Sequence, residues 1–337
     1  MAKAHSLVDV RDYTRVVIIS DTSASSITTS LQTALKLPED NILHIEGGES
    51  CKQIRALERL WDFFVSTRLD RRSLVFAVGG GAISDLVGFA AATYMRGIAC
   101  VPVPTTLLAQ VDASIGGKSG INWGGAKNIL GAIRQPVGII VDIDTLGSLS
   151  PRDLCSGFAE IVKHGLIADR SYFEHVTTRA FSDWSADELV DIVFRSCEIK
   201  RDVVEADESE QGMRKALNFG HTLGHAIEGL AIAHGVSLTH GESVSIGMRA
   251  ASYLSYRMGT LPEEDLLAIV RCISKVGLPT QLPSRMDETK LLELMSYDKK
   301  SIGGKTRWTL LNGIGHAIFD QQVDPSLIRD AIVEIQG

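Results

Sequence analysis

Several things are missing from this sequence, and each absence narrows its reading. No run reaches the roughly 18 apolar residues of a membrane helix, and the opening "MAKAHSLVDVRDYTRVVIIS" carries charges throughout, with no signal-peptide apolar core. No membrane partner is expected. Positive charge is not in excess either: the net charge is −7, so nucleic acid is not expected as a partner. An anionic substrate would need a local cluster of Lys and Arg against that background. The five cysteines, Cys51, Cys100, Cys155, Cys197 and Cys272, form no C-x-x-C pair. An odd, widely spaced set predicts reduced thiols and a cytoplasmic protein. There are no internal repeats and no low-complexity segment.

What is present fits a large globular core. The chain has 337 residues, 45% hydrophobic and 22% charged, which suggests two domains. The first half alternates. "RVVIIS", "NILHIE", "SLVFAVGGG", "IACVPVP" and "GIIVDID" (Gly138 to Asp144) read as strands, with helix-like stretches such as "SCKQIRALERLWDFF" between them. That alternation predicts a parallel α/β sheet. From Pro151 to about Leu294 the period becomes helical, with Ser185 as an N-cap and Gly277 just past a helix end. "TRWTLL" and "HAIF" suggest a hairpin around "NGIG". The expected layout is an α/β domain over 1–150 and a mainly α-helical domain over 151–337, with the site in the cleft between them.

Four segments carry chemistry. In "VGGGAISDLVGF", Gly79, Gly80 and Gly81 would let the backbone approach a phosphate at a helix N-terminus. Ser84 stands where G-x-G-x-x-G needs its last glycine, and no acidic residue follows about 20 positions on. A nucleotide turn and a plain tight turn both fit. "PTTLLAQVDASIGGKSGINWGGAKN" (Pro104 to Asn128) reads as a long irregular loop carrying Asp112, Lys118, Lys127 and Asn128. Such loops are usually functional, and its lysines suit a phosphate or carboxylate, or simply solvent. "GFAEIVKHGLI" reads as a helix that puts Glu160 and Lys163 on one face, as an internal ion pair or as a metal carboxylate beside a substrate lysine.

The fourth segment is "NFGHTLGHAIE". His221 and His225 are four apart, so they share a helix face. Thr222 replaces the glutamate of H-E-x-x-H, which removes the zinc-peptidase reading. Arg214, Asn218, His221 and His225 follow at spacings of 4, 3 and 4, which reads as one polar helix stripe. A core stripe would be Leu and Val, so this one argues against two merely buried histidines. With His240 of "LTHGESVSIGM" and with Glu160, it gives a nitrogen-and-oxygen set suited to zinc or a similar divalent ion.

Taken together, "GGGAISDLVGFAAATYMRG", "VPTTLLAQVDASIGGKSGIN", "AKNILGA", "AEIVKHGLI", "LNFGHTLGHAIE", "HGESVSIGM" and "DKK" resemble the 3-dehydroquinate synthase family of sugar phosphate cyclases, in order, from about Arg15 to Phe319. The resemblance implies a Rossmann-like N-terminal domain, a helical C-terminal domain and a homodimer. It implies an NAD-dependent enzyme with zinc or cobalt. The reaction would turn 3-deoxy-D-arabino-heptulosonate 7-phosphate into 3-dehydroquinate and phosphate by transient oxidation, phosphate elimination, re-reduction and intramolecular aldol closure, in the shikimate pathway. Matching motif by motif, it implies metal ligands Glu160, His221 and His240. Around the substrate it places Asp112, Lys118, Asn128, Lys163, Lys200, Glu210, Arg214, Asn218 and His225, with Lys300 or Lys299 near the phosphate. Arg96 would reach the neighbouring subunit's site. The matching NAD positions are Asp21, Glu49, Lys52, Gly80, Gly81, Asp85, Thr105, Thr106 and Lys127.

Departures from the family pattern are Ala126 in "WGGAKN", Ile133 and Arg134 in "GAIRQP", and a short N-terminus. They predict altered kinetics with the function retained. Three rivals remain: a sister cyclase acting on another sugar phosphate, a metal-dependent alcohol dehydrogenase of the glycerol dehydrogenase type, and a catalytically inactive binding protein, which the full set of polar positions argues against. The second would not need so many cations.

Overall fold

The computed structural model describes residues 1, 8–284, 286–296 and 306–336. The chain divides into two compact units, Met1–Leu149 and Ser150–Gly337.

The first unit is built on a four-stranded parallel sheet of β1 (Val16–Asp21), β2 (Ile42–Ile45), β3 (Leu74–Gly79) and β4 (Ala99–Pro104), in the order β2-β1-β3-β4. Near-continuous apolar runs form parallel strands because both sheet faces are covered. Side chains alternate across each strand, and the core divides accordingly. Val17, Ile19, Val75 and Ala77 pack with residues of α2 (Ile54–Ser66) and α3 (Gly81–Thr93), including Leu60, Phe64 and Leu86. Val16, Ile18, Leu74, Phe76 and Val78 pack with Leu31 and Leu35 of α1 (Ser25–Leu35).

Two sequence expectations fail in this unit. Gly138–Asp144 forms no strand, although Val137 and Ile140 donate backbone hydrogen bonds to Cys100 and Pro102 of β4. The ladder cannot be completed, because Pro102 and Pro104 have no N–H to offer on that edge. The stretch from Pro104 to Asn128 is not an irregular loop either. It holds a π-helix at Ala109–Ala113, then β5 (Lys118–Trp123) and the start of β6 (Ala126–Ile133), paired antiparallel. Gly124 and Gly125, at φ 58° and 82°, form the two-residue turn, the positive-φ pair that a tight hairpin favours.

The second unit is helical: α4 (Pro151–Ala168), α5 (Arg170–Val176), α6 (Ala186–Ala206), α7 (His221–Ala233), α8 (His240–Arg257), α9 (Glu263–Lys275), α10 (Glu288–Ser296) and α11 (Pro325–Gln336), with an antiparallel hairpin of β7 (Trp308–Leu311) and β8 (Ala317–Gln321). Ser150 caps α4 ahead of Pro151 in the first turn. Ser185 with Glu188, and Thr239 with Glu242, form capping boxes at the starts of α6 and α8.

The expected single stripe from Arg214 to His225 is broken. Arg214 and Asn218 lie in a 3₁₀ segment, Met213–Asn218, and α7 starts afresh at His221. Gly220 makes the break, at φ 77°; a Cβ there would come 2.6 Å from Met248 Cγ. Gly241 and Gly247 of α8 are in similar contact: added Cβ atoms would lie 1.9 Å from the Ser156 carbonyl oxygen and 2.0 Å from that of Gly220. Missing side chains therefore let α4, the start of α7 and α8 approach closely.

Candidate active site

Three residues from three helices meet in the second unit. Glu160 lies in mid-α4, while His221 and His240 are the first residues of α7 and α8. One ligand atom from each lies within 4.8 Å of the others. His221 Nε2 is 3.5 Å and His240 Nε2 is 3.8 Å from Glu160 Oε1. The other ring nitrogens are anchored. His221 Nδ1 is 3.1 Å from the Phe219 carbonyl oxygen, and His240 Nδ1 is 3.1 Å from Glu228 Oε2. Both partners are acceptors, so each Nδ1 donates, and in the neutral form each ring would offer its Nε2 lone pair to an ion beside the carboxylate.

A cation resolves that arrangement. Glu160 is fully buried and ion-paired to Lys163, yet among the described residues neither of its oxygens receives a hydrogen bond. Two ligands about 2.1 Å from a tetrahedral ion are about 3.4 Å apart, close to the two separations observed. The donor set, two imidazoles and one carboxylate, is that of a catalytic zinc-type site with room for substrate oxygen.

Around this set the second unit buries an unusual number of cations. Lys163 of α4, Lys200 of α6 and Arg214 are 1%, 6% and 2% exposed, and their elements pack on one another. Buried charge is costly unless it meets opposite charge or hydrogen bonds. Arg214 donates to the Glu208 carbonyl oxygen at 2.6 Å, and Asn218 donates to Glu210 at 3.0 Å. The turn that carries them is organised by Asp207, whose carboxylate accepts the backbone N–H groups of Gln211, Gly212 and Arg214. Those hydrogen bonds, Gly212's first, hold Asp207 below the usual carboxylate range. His225 lies exposed one turn along α7, its ring 5.2 Å from that of His221. Lys299 and Lys300 lie outside the described residues.

The first unit gathers the other predicted positions at the carboxyl ends of its strands. Asp21 ends β1, Gly80 and Gly81 follow β3, Thr105 and Thr106 follow β4, and Glu49 lies beyond β2. Strand order reverses direction between β1 and β3, which is where open α/β sheets bind nucleotides. Gly80 and Gly81 open α3, whose N-terminal N–H groups suit an anion. Lys52 is 2% exposed and ties this region together, donating to Asp85 at 2.6 Å and to Asn128. Burial pushes the Asp85 carboxyl up, and Lys52 opposes the shift. Asn122 links the cluster further, donating to Glu49 at 2.8 Å and accepting from the Asn128 backbone. Asn128 itself sits at φ 51°. Asp112 lies in the π-helix, while Lys118 and Lys127 lie exposed on the hairpin.

Asn122 and Glu228 were not singled out from sequence. Glu228 had a signal: it stands seven positions after His221, on the face that His221 and His225 share. Of the departures, Ala126 begins β6, and Arg134 lies against Gly97, where an added Cβ would come 2.3 Å from its Nη1.

Comparisons with known proteins bear on both units. The family description "3-dehydroquinate synthase N-terminal" matches residues 42–156, and "3-dehydroquinate synthase C-terminal" matches residues 157–301. A 3-dehydroquinate synthase of Thermosynechococcus vestitus is 42% identical over 297 residues, covering 87% of this chain and 80% of the relative. Among solved structures, 2-deoxy-scyllo-inosose synthase complexed with carbaglucose-6-phosphate, NAD+ and Co2+ is similar at a TM-score of 0.89 and 28% identity, covering 99% of this chain and 94% of that one. The 2-epi-5-epi-valiolone synthase of Streptomyces hygroscopicus subsp. jinggangensis, with NAD+ and Zn2+ bound, is similar at 0.84 and 26%, covering 99% and 94%.

Proposed function

The chain belongs to the 3-dehydroquinate synthase family, and from that premise we propose that its two sets of residues together convert 3-deoxy-D-arabino-heptulosonate 7-phosphate to 3-dehydroquinate and phosphate. The observation that carries this reading is the buried Glu160 carboxylate, paired with Lys163 and faced by the Nε2 atoms of His221 and His240. These three residues would hold zinc or cobalt. Asp21, Glu49, Lys52, Gly80, Gly81, Asp85, Thr105, Thr106 and Lys127 would hold NAD.

When bound, the metal supplies Lewis acidity at substrate hydroxyls and NAD supplies a reversible hydride acceptor. The chain's own residues do the positioning. Lys200 and Arg214 hold the substrate carboxylate. Lys118, Asn128, His225 and Lys300 or Lys299 hold the phosphate, and Asp112, Lys163, Glu210 and Asn218 orient the hydroxyls. Buried cations fixed before substrate arrives stabilise developing negative charge without reorganisation, and a single oriented substrate can then pass through several steps. The buried Arg214 and Lys200 favour a carboxylate-bearing substrate over the carboxylate-free sugar phosphate of a sister cyclase.

The reading includes a homodimer, in which Arg96 reaches the partner's site. Met95 and Arg96 are successive non-glycine residues at φ 50° and 67°, and both are exposed; such strain is kept where a side chain must be presented. A cytoplasmic location is part of the reading. Among the described residues, no helix is long and apolar enough to cross a membrane.

The test is phosphate release from the heptulosonate 7-phosphate with catalytic NAD, with and without chelator. Release that requires both NAD and metal, with no net NADH, supports the proposal. Net NADH from a polyol would support the dehydrogenase alternative, and release only from a different sugar phosphate would support a sister cyclase.

A further inference from the structure

We propose that Glu228 is a positioning residue for the metal ligand His240 and adds negative charge one imidazole away from the metal. The inference rests on the assignment of Glu160, His221 and His240 as the metal set. The two histidines are anchored differently. His221 donates through Nδ1 to the neutral Phe219 carbonyl, two residues away in its own chain segment. His240 donates to a carboxylate reached across the helix pair, Glu228 of α7, at 3.1 Å. Carboxylate anchoring orients an imidazole ring and makes its other nitrogen a better donor.

The electrostatics of the site give that carboxylate a second task. His221 and His240 are the first residues of α7 and α8, so a cation held by their Nε2 atoms meets the positive ends of two helix dipoles, each worth about half a charge. Glu160 is the one charged ligand, and Lys163 is paired against it. That pairing offsets part of the charge Glu160 can offer a dication. Glu228 restores negative charge within one imidazole of the metal. The Glu228 side chain is 18% exposed and that of His240 is 25% exposed, so water screens this contact only in part. The spacing also serves the purpose: on α7, position 221 is a ligand and position 228, two turns along the same face, reaches the first residue of α8.

The experiment is metal titration of the apo full-length protein against a chromophoric chelator, using Zn2+ and Co2+, for wild type, Glu228→Ala and Glu228→Gln. Glu228→Ala is expected to weaken metal binding by about 10–100-fold and to change the visible absorption of the Co2+ form, while the thermal midpoint of the apo protein stays close to wild type. Glu228→Gln keeps an acceptor for Nδ1–H and loses the charge, so it should retain the Co2+ spectrum while recovering only part of the affinity. Affinity and spectrum of Glu228→Ala both within twofold of wild type would overturn the proposal. So would loss of apo stability in both variants with unchanged affinity in the folded fraction. Failure of wild type to bind either metal would instead remove the assignment of the metal set itself.

Discussion

The His221 Nε2 atom lies 3.5 Å from Glu160 Oε1, while its Nδ1 donates to the Phe219 carbonyl. A carboxylate buried in that way needs positive charge beside it. Lys163 supplies part of it from the far side of the carboxylate. Replacing Glu160 with Gln should therefore have two effects that can be separated. The apo protein loses stability, because removing one partner of a buried pair costs about 3–5 kcal/mol. Added Zn2+, which should raise the wild-type melting temperature by mass action, should no longer do so. Calorimetry with and without metal reads both. Chelator treatment of wild type should remove the metal increment alone, and Co2+ or Zn2+ should restore it.

Close helix contact sets the position of His240. A Cβ on Gly241 would fall 1.9 Å from the Ser156 carbonyl oxygen, and neither backbone can yield without shifting α8 against α4. Gly241→Ala should destabilise the protein by about 1–3 kcal/mol and weaken metal binding in the molecules that remain folded. Gly138→Ala is the control, because among the described residues nothing lies within 4 Å of its added Cβ. Denaturant melts and metal titration of both variants check this. Equal behaviour of the two would show that the contact relaxes freely.

How far such contacts were legible in sequence differs from element to element. β1 and β3 were readable because buried parallel strands are uniformly apolar, and the cap Ser185 sits where its helix start requires it. The hairpin of β5 and β6 was hidden, because Gly120 and Gly131 face each other in it and neither contributes a strand-forming side chain. Its one clear mark, the Gly124–Gly125 pair, lay inside a stretch too rich in glycine to stand out. The break at Gly220 was hidden for a different reason. The spacing of Arg214, Asn218, His221 and His225 suits one helix, and only the approach of Met248 and Val244 forces the turn. Glu160 and the histidines were legible as a donor set, but their distances depend on three helices far apart in sequence. The Lys52 cluster, assembled from the end of a 3₁₀ turn, α3 and β6, had no local signature beyond single charged residues.

Lys52 gives a prediction confined to the first unit. It is buried, and it binds both Asp85 and Asn128. Lys52→Met keeps much of the stem but leaves Asp85 without its main counter-charge, in a place where burial already pushes that carboxyl up. Asp85 should then take up a proton more readily and stop serving as an anionic acceptor. Hydrogen bonds to charged groups are worth about 1.5–3 kcal/mol, so NAD affinity should fall by about 10–100-fold. Metal affinity should not change. Fluorescence titration with NAD beside a metal titration tests the pair of outcomes, and a loss of both would point to a global fault instead.

Asp207 gives a pH-dependent prediction next to the proposed substrate residues Arg214 and Glu210. Its carboxylate accepts three backbone N–H groups in the turn leading to Arg214, and its folded pKa is lowered, chiefly by Gly212. The unfolded value is about 3.9. A lowered folded pKa means that the ionised form favours the native turn, so this contribution is complete above about pH 3.9 and disappears as pH falls through the lower folded value. The stability difference between wild type and Asp207→Ala should therefore be constant from pH 8 to about pH 5 and should shrink below about pH 4. At neutral pH the same variant should raise the substrate KM more than it lowers kcat, because Arg214 and Glu210 lose the turn that presents them. Asp207→Asn, which retains an acceptor oxygen, should lie between the two. A wild-type-to-alanine gap that ignores pH down to the acid transition would mean that the carboxylate charge does not hold this turn.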